Sequence, residues 1–190
     1  MRCDGSTRAF TSRRKSRVPD DVTNWSADRL IDHLVSTHHA YERAALTRID
    51  QLFADLVRLR GPDGRLADAA TAFGRLKESL ERHLDKEEHV LFPHIRELAT
   101  RVGYEPHHSP FGTVVNPIRL MEREHHEALE NLQAVRGRVD AYAPLQAETA
   151  SAECADELRR LDEDVQHHVD IENHVLFPKA IELESWASRA

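Results

Sequence analysis

The sequence predicts an all-α fold, namely an antiparallel four-helix bundle with a pseudo-two-fold internal repeat. Its composition is the first reason, because stretches rich in Ala, Leu, Glu and Arg, with only 7 glycines in 190 residues, favour helices over strands. The second reason is that clusters of glycine and proline divide the chain into four helical stretches. The third is a short motif that occurs twice. Together these features predict two similar helix pairs in one domain.

The limits of the four helices follow from their start and stop signals. Ser26 is a suitable N-cap for the first helix, which we expect to end near Arg60, before the turn sequence Gly-Pro-Asp-Gly at 61–64. The other helices are predicted from about Leu66 to Thr100, from Val114 or Pro117 to Tyr142, and from about Ala147 to Trp186. Short connections between long helices imply that consecutive helices run antiparallel.

The chain divides into a tail and a bundle. Residues 1–22 are predicted to form a flexible basic N-terminal tail, because they carry six Arg and Lys residues and few large apolar ones. Residues 23–190 are predicted to form the bundle. The pair Arg13-Arg14 is not followed by an apolar segment, so the tail does not resemble an export signal. A cytoplasmic protein is therefore expected.

Charge, hydropathy and cysteine content exclude several classes of protein. The formal net charge of −7 argues against a nucleic-acid binder. No run of about 18 apolar residues occurs, so no membrane partner is expected. The two cysteines, Cys3 and Cys154, provide no disulfide framework, and Cys154 is expected to act as a small buried hydrophobic residue. A monomer or homodimer is expected.

Histidines and a repeated motif point to a shared polar site. The motif Glu-Glu-His-Val-Leu-Phe-Pro at 87–93 recurs at 172–178 with asparagine as its second residue, so six of seven positions are identical. A histidine precedes each copy by four residues, and each half also carries a His-His pair, at 38–39 and 125–126. Such a repeat, present only twice, predicts a site between two pseudo-symmetric halves. The proline that ends each motif is expected to distort its helix just past the site.

Helical periodicity predicts which of these polar residues face the core. His83 and Glu87 share a face with apolar residues three, four and seven positions away, and His168 and Glu172 do the same. A buried carboxylate without a partner is costly, and this sequence predicts two of them. Two metal ions among neutral imidazoles and carboxylates would compensate for that cost.

The two histidine pairs differ in how clearly periodicity resolves them. In the second pair the spacing selects His125, because His126 lines up with charged residues. In the first pair both residues stay possible. His38 fits the apolar face of Ile31, Leu34 and Ala45, whereas His39 fits that of Val35, Leu46 and Phe53.

The predicted donor set suits particular metals. Four imidazoles and two bridging carboxylates give roughly eight bonds, and a bridging oxide adds two, so two octahedral ions would keep about one open position each. A set of nitrogen and oxygen donors without thiolate suits iron or manganese, with zinc as an alternative. A single core histidine is usually structural, but six polar residues repeated on four apolar faces favour a metal centre.

These motifs resemble the hemerythrin-like domain of the repair-of-iron-centres family, di-iron proteins that mend iron–sulfur clusters after nitrosative or oxidative stress. The matching stretches include 83–93, 116–118 and 168–178, and together they extend over about residues 24–184. The resemblance implies a cofactor of two non-haem iron ions, bridged by oxide or hydroxide. It also implies that the metal ligands are His39, His83, Glu87, His125, His168 and Glu172, and it thereby selects His39 in the first pair.

The resemblance also implies a function, with rivals. We expect a repair protein that binds iron and either NO or O2, with damaged iron–sulfur proteins as partners. One rival is a hemerythrin-like sensor or carrier of O2 or NO, and another is a di-iron reductase of NO or peroxide. Typical repair proteins carry an N-terminal domain with a Cys-Cys pair, whereas residues 1–22 hold only Cys3. The expected chain is therefore a divergent or truncated member that keeps the di-iron module alone.

Overall fold

The computed structural model describes residues 22–61, 63–100, 111–142 and 149–187. The tail predicted for residues 1–22, apart from Val22, and most of the loop that contains Pro106 and Pro110 lie outside these described residues. Val22 itself is buried in the core. Within the described ranges the chain forms a short 3-10 helix and four long helices, and it contains no strand.

The four long helices are named α1 to α4, and three of them contain a π-helical turn. Helix α1 joins Ala27–His33, the π turn Leu34–His39 and Ala40–Arg60. Helix α2 joins Gly64–Lys86, the π turn Glu87–Leu91 and Phe92–Thr100. Helix α3 covers Val115–Tyr142, and α4 joins Thr149–Ile171, the π turn Glu172–Leu176 and Phe177–Ala187. The all-α prediction is confirmed, and the helix limits agree with the predicted ones to within two residues.

Side chains and one glycine fix the helix ends. The Ser26 hydroxyl accepts a hydrogen bond from the Arg29 amide at 3.3 Å, as expected of an N-cap. Helix α1 ends at Gly61, whose φ of 71° lies in the left-handed region that glycine tolerates. Helix α2 starts at Gly64 and not at the predicted Leu66, because the Asp63 carboxylate caps it from the preceding position.

The helices form a closed ring in which each packs against the helices before and after it. Helix α1 contacts α2 and α4, and α3 contacts the same two helices. The first turns of α1, Ala27–His33, contact the last turns of α2, Phe92–Thr100, so these two helices run antiparallel. This arrangement directs one face of every helix towards a common axis.

Two apolar clusters fill the interior and leave a polar layer between them. One cluster contains residues from 45–56, 66–80, 128–139 and 154–169. The other contains residues from 22–34, 91–98, 114–121 and 171–180. The six predicted ligands lie where the two clusters meet, one turn from apolar residues on either side. None of the described helices combines the length and the apolar character needed to cross a membrane.

The π turns lie at the polar layer. A π turn holds one more residue than an α turn, so it rotates the residues that follow it relative to those before it. In α2 and α4 the turn ends two residues before Pro93 and Pro178, whose missing N–H cannot close a regular helical bond. The distortion expected just past the site therefore takes the form of a widened turn just ahead of each proline.

Candidate metal centre

The structure brings all six predicted site residues together in two groups. His39 and His168 lie with both glutamates in the first group, called subsite A. His83 and His125 lie with the same glutamates in the second, called subsite B. Within each group the candidate ligand atoms are all within 4.8 Å of one another. Each of the six residues is at most 3% exposed, so the centre is closed to bulk water.

Glu87 and Glu172 lie between the subsites. The Oε2 atom of Glu87 faces subsite A, at 3.5 Å from His39 Nε2 and 3.8 Å from His168 Nε2. Its Oε1 atom faces subsite B, at 3.3 Å from His83 Nε2 and 3.6 Å from His125 Nε2. Glu172 Oε2 lies 3.0 Å from His125 Nε2 and 3.2 Å from His168 Nε2. Both carboxylates thus have the placement of a bridge between two cations.

The inward-facing atoms have no hydrogen-bond partners among the described residues. This holds for the Nε2 atom of each of the four histidines and for both carboxylate oxygens of Glu87 and Glu172. Buried polar atoms are almost always hydrogen-bonded, so eight such atoms grouped in two subsites, with ion-pair contacts of 3.0–3.8 Å but no hydrogen bond, require an explanation. Nitrogen and oxygen donors with two anionic bridges fit two divalent or trivalent cations. The residues present therefore fit a dinuclear metal centre.

The outer nitrogen of each histidine is held by an acceptor. An imidazole that binds a metal usually donates its other N–H to a carboxylate, carbonyl or water, which fixes the ring and raises its basicity. The pairs formed by the Nδ1 atoms are His39 with Glu88 at 2.9 Å, His83 with Glu124 at 3.0 Å, His125 with Asn173 at 3.1 Å and His168 with Glu42 at 2.9 Å. These contacts aim every Nε2 atom at the shared carboxylates.

The phenylalanine of each repeated motif positions a histidine of a facing helix. Phe92 stacks on His39 with ring centroids 5.6 Å apart, and Phe177 stacks on His125 at 5.9 Å. Both phenylalanines are only 1% exposed. Stacking between apolar faces restrains the imidazole planes without using their nitrogens. The Leu-Phe-Pro part of the motif therefore supports the site from the second apolar cluster.

Mutual interactions shift the pKa values of the site residues. Burial opposes the charged form of His83 most strongly, yet the neighbouring carboxylates of Glu87 and Glu124 raise its pKa to about 9. Burial likewise opposes the charged form of Glu87, but the histidines around it hold its pKa well below the usual range. Protons and metal ions therefore compete for the same nitrogens.

The π turn in α1 shows why regular helical periodicity could not choose between His38 and His39. Both His38 and His39 are buried, at 3% and 1% exposure, because the π turn at Leu34–His39 widens the helix there. His39 points its Nε2 atom at Glu87, whereas His38 pairs through Nδ1 with Asp164 at 3.1 Å. The structure therefore places His39, the residue that the family resemblance selects, in subsite A, and it places His38 outside both groups.

The other histidines near the motif do not belong to either group. His89 and His174 each place Nδ1 within 3.0 Å of the carbonyl oxygen four residues earlier, so both rings donate to their own helix at the π turn. His94 packs edge-on against Phe111, with ring centroids 5.6 Å apart. All three therefore lie outside both groups.

Sequence reasoning missed the acceptors behind the ligands. Glu42 is completely buried, and it lies three residues after His39 on a face that continues through Leu46 and Ile49. A glutamate on such an apolar face was the signal that could have identified it. Glu88 occupies the second position of the repeated motif, but nothing in the spacing shows that it reaches His39.

Comparison with known proteins gives the same family over most of the chain. Residues 30–180 match the Hemerythrin HHE cation binding domain. The iron–sulfur cluster repair protein YtfE of Escherichia coli is 29% identical over 154 residues, which cover 80% of this chain and 65% of that protein. The protein of the same name from Enterobacter sp. is 31% identical over 172 residues, covering 86% of this chain and 70% of its own length.

A third relative extends the match slightly. A probable iron–sulfur cluster repair protein of Haemophilus influenzae is 24% identical over 177 residues, covering 90% of this chain and 74% of its own. This chain thus spans just under two thirds of the length of the first of these relatives. With its two His/Glu groups between apolar clusters and its match over residues 30–180, this chain belongs to the hemerythrin HHE cation-binding domain family, and the iron–sulfur cluster repair proteins are among its relatives.

Proposed function

We propose that the six residues of subsites A and B bind two iron ions and that the protein serves in iron–sulfur cluster repair. The observation that carries the proposal is the grouping of eight buried donor atoms that have no hydrogen-bond partner among the described residues. Two cations satisfy all eight at once, whereas a water molecule makes at most about four hydrogen bonds. The proposed ligands are His39, His83, Glu87, His125, His168 and Glu172.

The glutamates and the histidines of the site have different roles in holding the ions. Glu87 spans the subsites with one oxygen towards each, and Glu172 Oε2 lies within 3.2 Å of one histidine of each subsite. The four histidines close the remaining directions, and their outer hydrogen bonds keep the rings in place. When bound, iron supplies a reversible one-electron change and about one open position per ion for a small ligand such as NO or O2.

The names of the relatives support a function in iron–sulfur cluster repair. Two of them carry the name iron–sulfur cluster repair protein, and they match 80% and 86% of this chain. In our proposal iron is both bound ion and cargo, and a damaged iron–sulfur protein is the partner that receives it. A closed site suits this role, because it holds iron away from bulk water until transfer.

Metal analysis tests the binding part of the proposal. We expect about two irons per chain in protein purified without chelator, matching the two subsites. The double variant Glu87→Gln, Glu172→Gln keeps the side-chain volumes but removes both negative charges, so we expect it to lose most of its iron. The matched control is Glu127→Gln, Glu182→Gln, which changes two exposed glutamates. A folded wild-type protein that takes up no iron anaerobically would contradict the proposal.

A reactivation assay tests the repair part. The iron-loaded protein is mixed anaerobically with an iron–sulfur enzyme that has been inactivated by peroxide or NO. We expect recovery of enzyme activity with the wild type and with the exposed-glutamate control, but not with Glu87→Gln, Glu172→Gln. Equal recovery with free ferrous iron at the same concentration would show that the protein adds nothing to the transfer.

A reversible carrier or sensor of O2 or NO is a second candidate, and one feature favours it. A cleft of about 290 Å³ lies beside subsite B, lined mainly by apolar side chains that include Leu91 and Met121. These two buried residues lie one helical turn from Glu87 and His125, so they form the barrier that a small apolar gas would cross between the cleft and the site. Mixing the reduced protein with O2 separates the candidates, since a long-lived adduct that is released under vacuum favours the carrier.

A further inference from the structure

The groups behind the histidines differ between the two subsites. In subsite A both outer nitrogens contact carboxylates, because His39 lies 2.9 Å from Glu88 and His168 lies 2.9 Å from Glu42. Glu42 is completely buried, and its second oxygen has no hydrogen-bond partner among the described residues. Subsite A is therefore supported by two anions.

Subsite B has one carboxylate and one amide in the corresponding places. The outer nitrogen of His83 lies 3.0 Å from Glu124, but that of His125 lies 3.1 Å from the side-chain oxygen of Asn173. An amide oxygen accepts the hydrogen bond without adding a negative charge. The hydrogen bond behind His125 is therefore weaker than the charge-assisted bonds behind the other three histidines.

Nearby cations do not remove this difference. Arg43 donates to Glu88 at 3.2 Å in subsite A, and Lys86 donates to Glu124 in subsite B. Each subsite thus has one acceptor that is paired with a basic residue. Subsite A therefore keeps two carboxylates behind its histidines against one in subsite B, a difference of one negative charge.

The sequence repeat contains the same asymmetry. The two copies of the motif, 87–93 and 172–178, differ at one position only, which is Glu88 in the first copy and Asn173 in the second. Both residues do the same task, since each accepts a hydrogen bond from the histidine whose ring stacks on the phenylalanine of the same motif. The single difference between the two copies therefore falls on the residue that accepts a hydrogen bond from a candidate metal ligand.

We propose that the two metal subsites are unequal, with subsite A holding its ion more tightly and subsite B releasing its ion first, and that Glu88 and Asn173 are positioning residues that set this difference. A carboxylate that accepts from Nδ1–H makes the imidazole a stronger donor at Nε2, and it adds charge that stabilises a cation. This inference rests on the proposed function, in which the ion that leaves subsite B is the one that a damaged cluster receives.

The test is a metal titration of the full chain after its metal has been removed with chelator. Cobalt(II) is added anaerobically against a competing chelator, and the visible spectrum reports each binding step. We expect two steps whose dissociation constants differ by roughly tenfold or more, the usual effect of such an acceptor on metal affinity. Iron(II) release to a chelator should correspondingly show a fast and a slow phase of equal size.

Two isosteric variants assign the steps to the subsites. Asn173→Asp adds a carboxylate behind His125, so it should strengthen the weaker step about tenfold and leave the stronger one unchanged. Glu88→Gln removes a carboxylate behind His39, so it should weaken the stronger step by a similar factor. Asn131→Asp, on the exposed surface of α3, is the control for added charge and should change neither step.

Several outcomes would overturn the inference. Equal affinities in the wild type would do so, and so would an Asn173→Asp variant that changes only the stronger step. If one variant fails to fold, as judged by circular dichroism, the other still assigns its own subsite. No iron–sulfur protein is present in the titration, so failure of the reactivation assay with unequal subsites would count against repair alone.

Discussion

At the scale of one residue, the burial of Cys154 determines how reactive its thiol is. The side chain is completely buried in the first apolar cluster, and burial raises the pKa of its thiol to about 12. Because the thiolate is the reactive form, a thiol with this pKa is almost entirely unreactive at neutral pH. Cys154 therefore contributes packing and not redox chemistry, as its position on an apolar face predicted.

Thiol labelling tests this assignment. In a Cys3→Ser variant only Cys154 remains, and we expect no reaction with an aromatic disulfide reagent over hours in native buffer. Full denaturation should release one reactive thiol per chain, which serves as the internal control. Rapid labelling of the folded variant would mean that the helix carrying Cys154 opens far more readily than its burial implies.

Residue identities at the site were predictable to different degrees. His83, Glu87, His168 and Glu172 could be predicted from spacing alone, because an i, i+4 pair on an apolar face leaves few alternatives. The choice between His38 and His39 could not, since both residues are buried. Glu42 was missed for another reason, namely that its role depends on contact with His168, which lies 126 residues further along the chain.

At the scale of elements, the start of α2 depends on one side chain. The Asp63 carboxylate accepts hydrogen bonds from the Arg65 amide at 2.9 Å and the Leu66 amide at 3.5 Å. These amides belong to the first turn of a helix, where no backbone carbonyl is available to them. The first turn of α2 therefore relies on the Asp63 carboxylate for these two hydrogen bonds.

Replacing this cap should have a measurable cost. We expect Asp63→Ala to lower the free energy of unfolding by about 1 kcal/mol, within the usual range for an N-cap aspartate. The measurement is urea unfolding at a fixed metal concentration, because bound metal itself adds stability. The control is Asp68→Ala, which removes an exposed aspartate one turn further along the same helix. Equal losses in the two variants would argue against a specific capping role.

The π turns are the elements that sequence reasoning did not anticipate. Up to the first residue of the π turn, the buried residues Ile31 and Leu34 follow the periodicity of His38, whereas after the turn Leu46 and Phe53 follow that of His39. A one-residue change of phase within a single helix produces this pattern. A regular period of 3.6 residues cannot describe both halves, which is why the sequence left two candidates.

At the scale of the whole molecule, the site depends on all four helices at once. Helices α1 and α3 each supply one histidine, and α2 and α4 each supply a histidine and a glutamate. The sequence repeat predicted this division, because each half repeats one His-only helix and one His-Glu helix. The apolar clusters on either side hold the layer closed, so that charge within it must be balanced locally.

This local balance predicts how stability depends on pH. With metal removed by chelator, His83 carries a raised pKa of about 9 in the folded protein, against 6.5 for an unperturbed histidine. A raised folded-state pKa stabilises the protein fully below the unfolded value, and the stabilisation is lost as the pH rises through the folded value. The pKa values of His125 and His168 are raised as well, so they add to the effect with the same sign.

We therefore expect the melting temperature of the metal-free protein to fall as the pH rises from about 6.5 to about 9. Metal binding requires neutral imidazoles, so the zinc-loaded protein should show the opposite trend, and the gap between the two melting temperatures should widen over the same interval. Differential scanning calorimetry of both forms at matched pH values measures this gap.

In a His83→Gln variant the fall for the metal-free form should be smaller, because one of the three titrating imidazoles is gone. A metal-free melting temperature that rises over this interval would show that the carboxylates of Glu87 and Glu172 do not hold the histidines protonated, and that the polar layer is balanced in some other way.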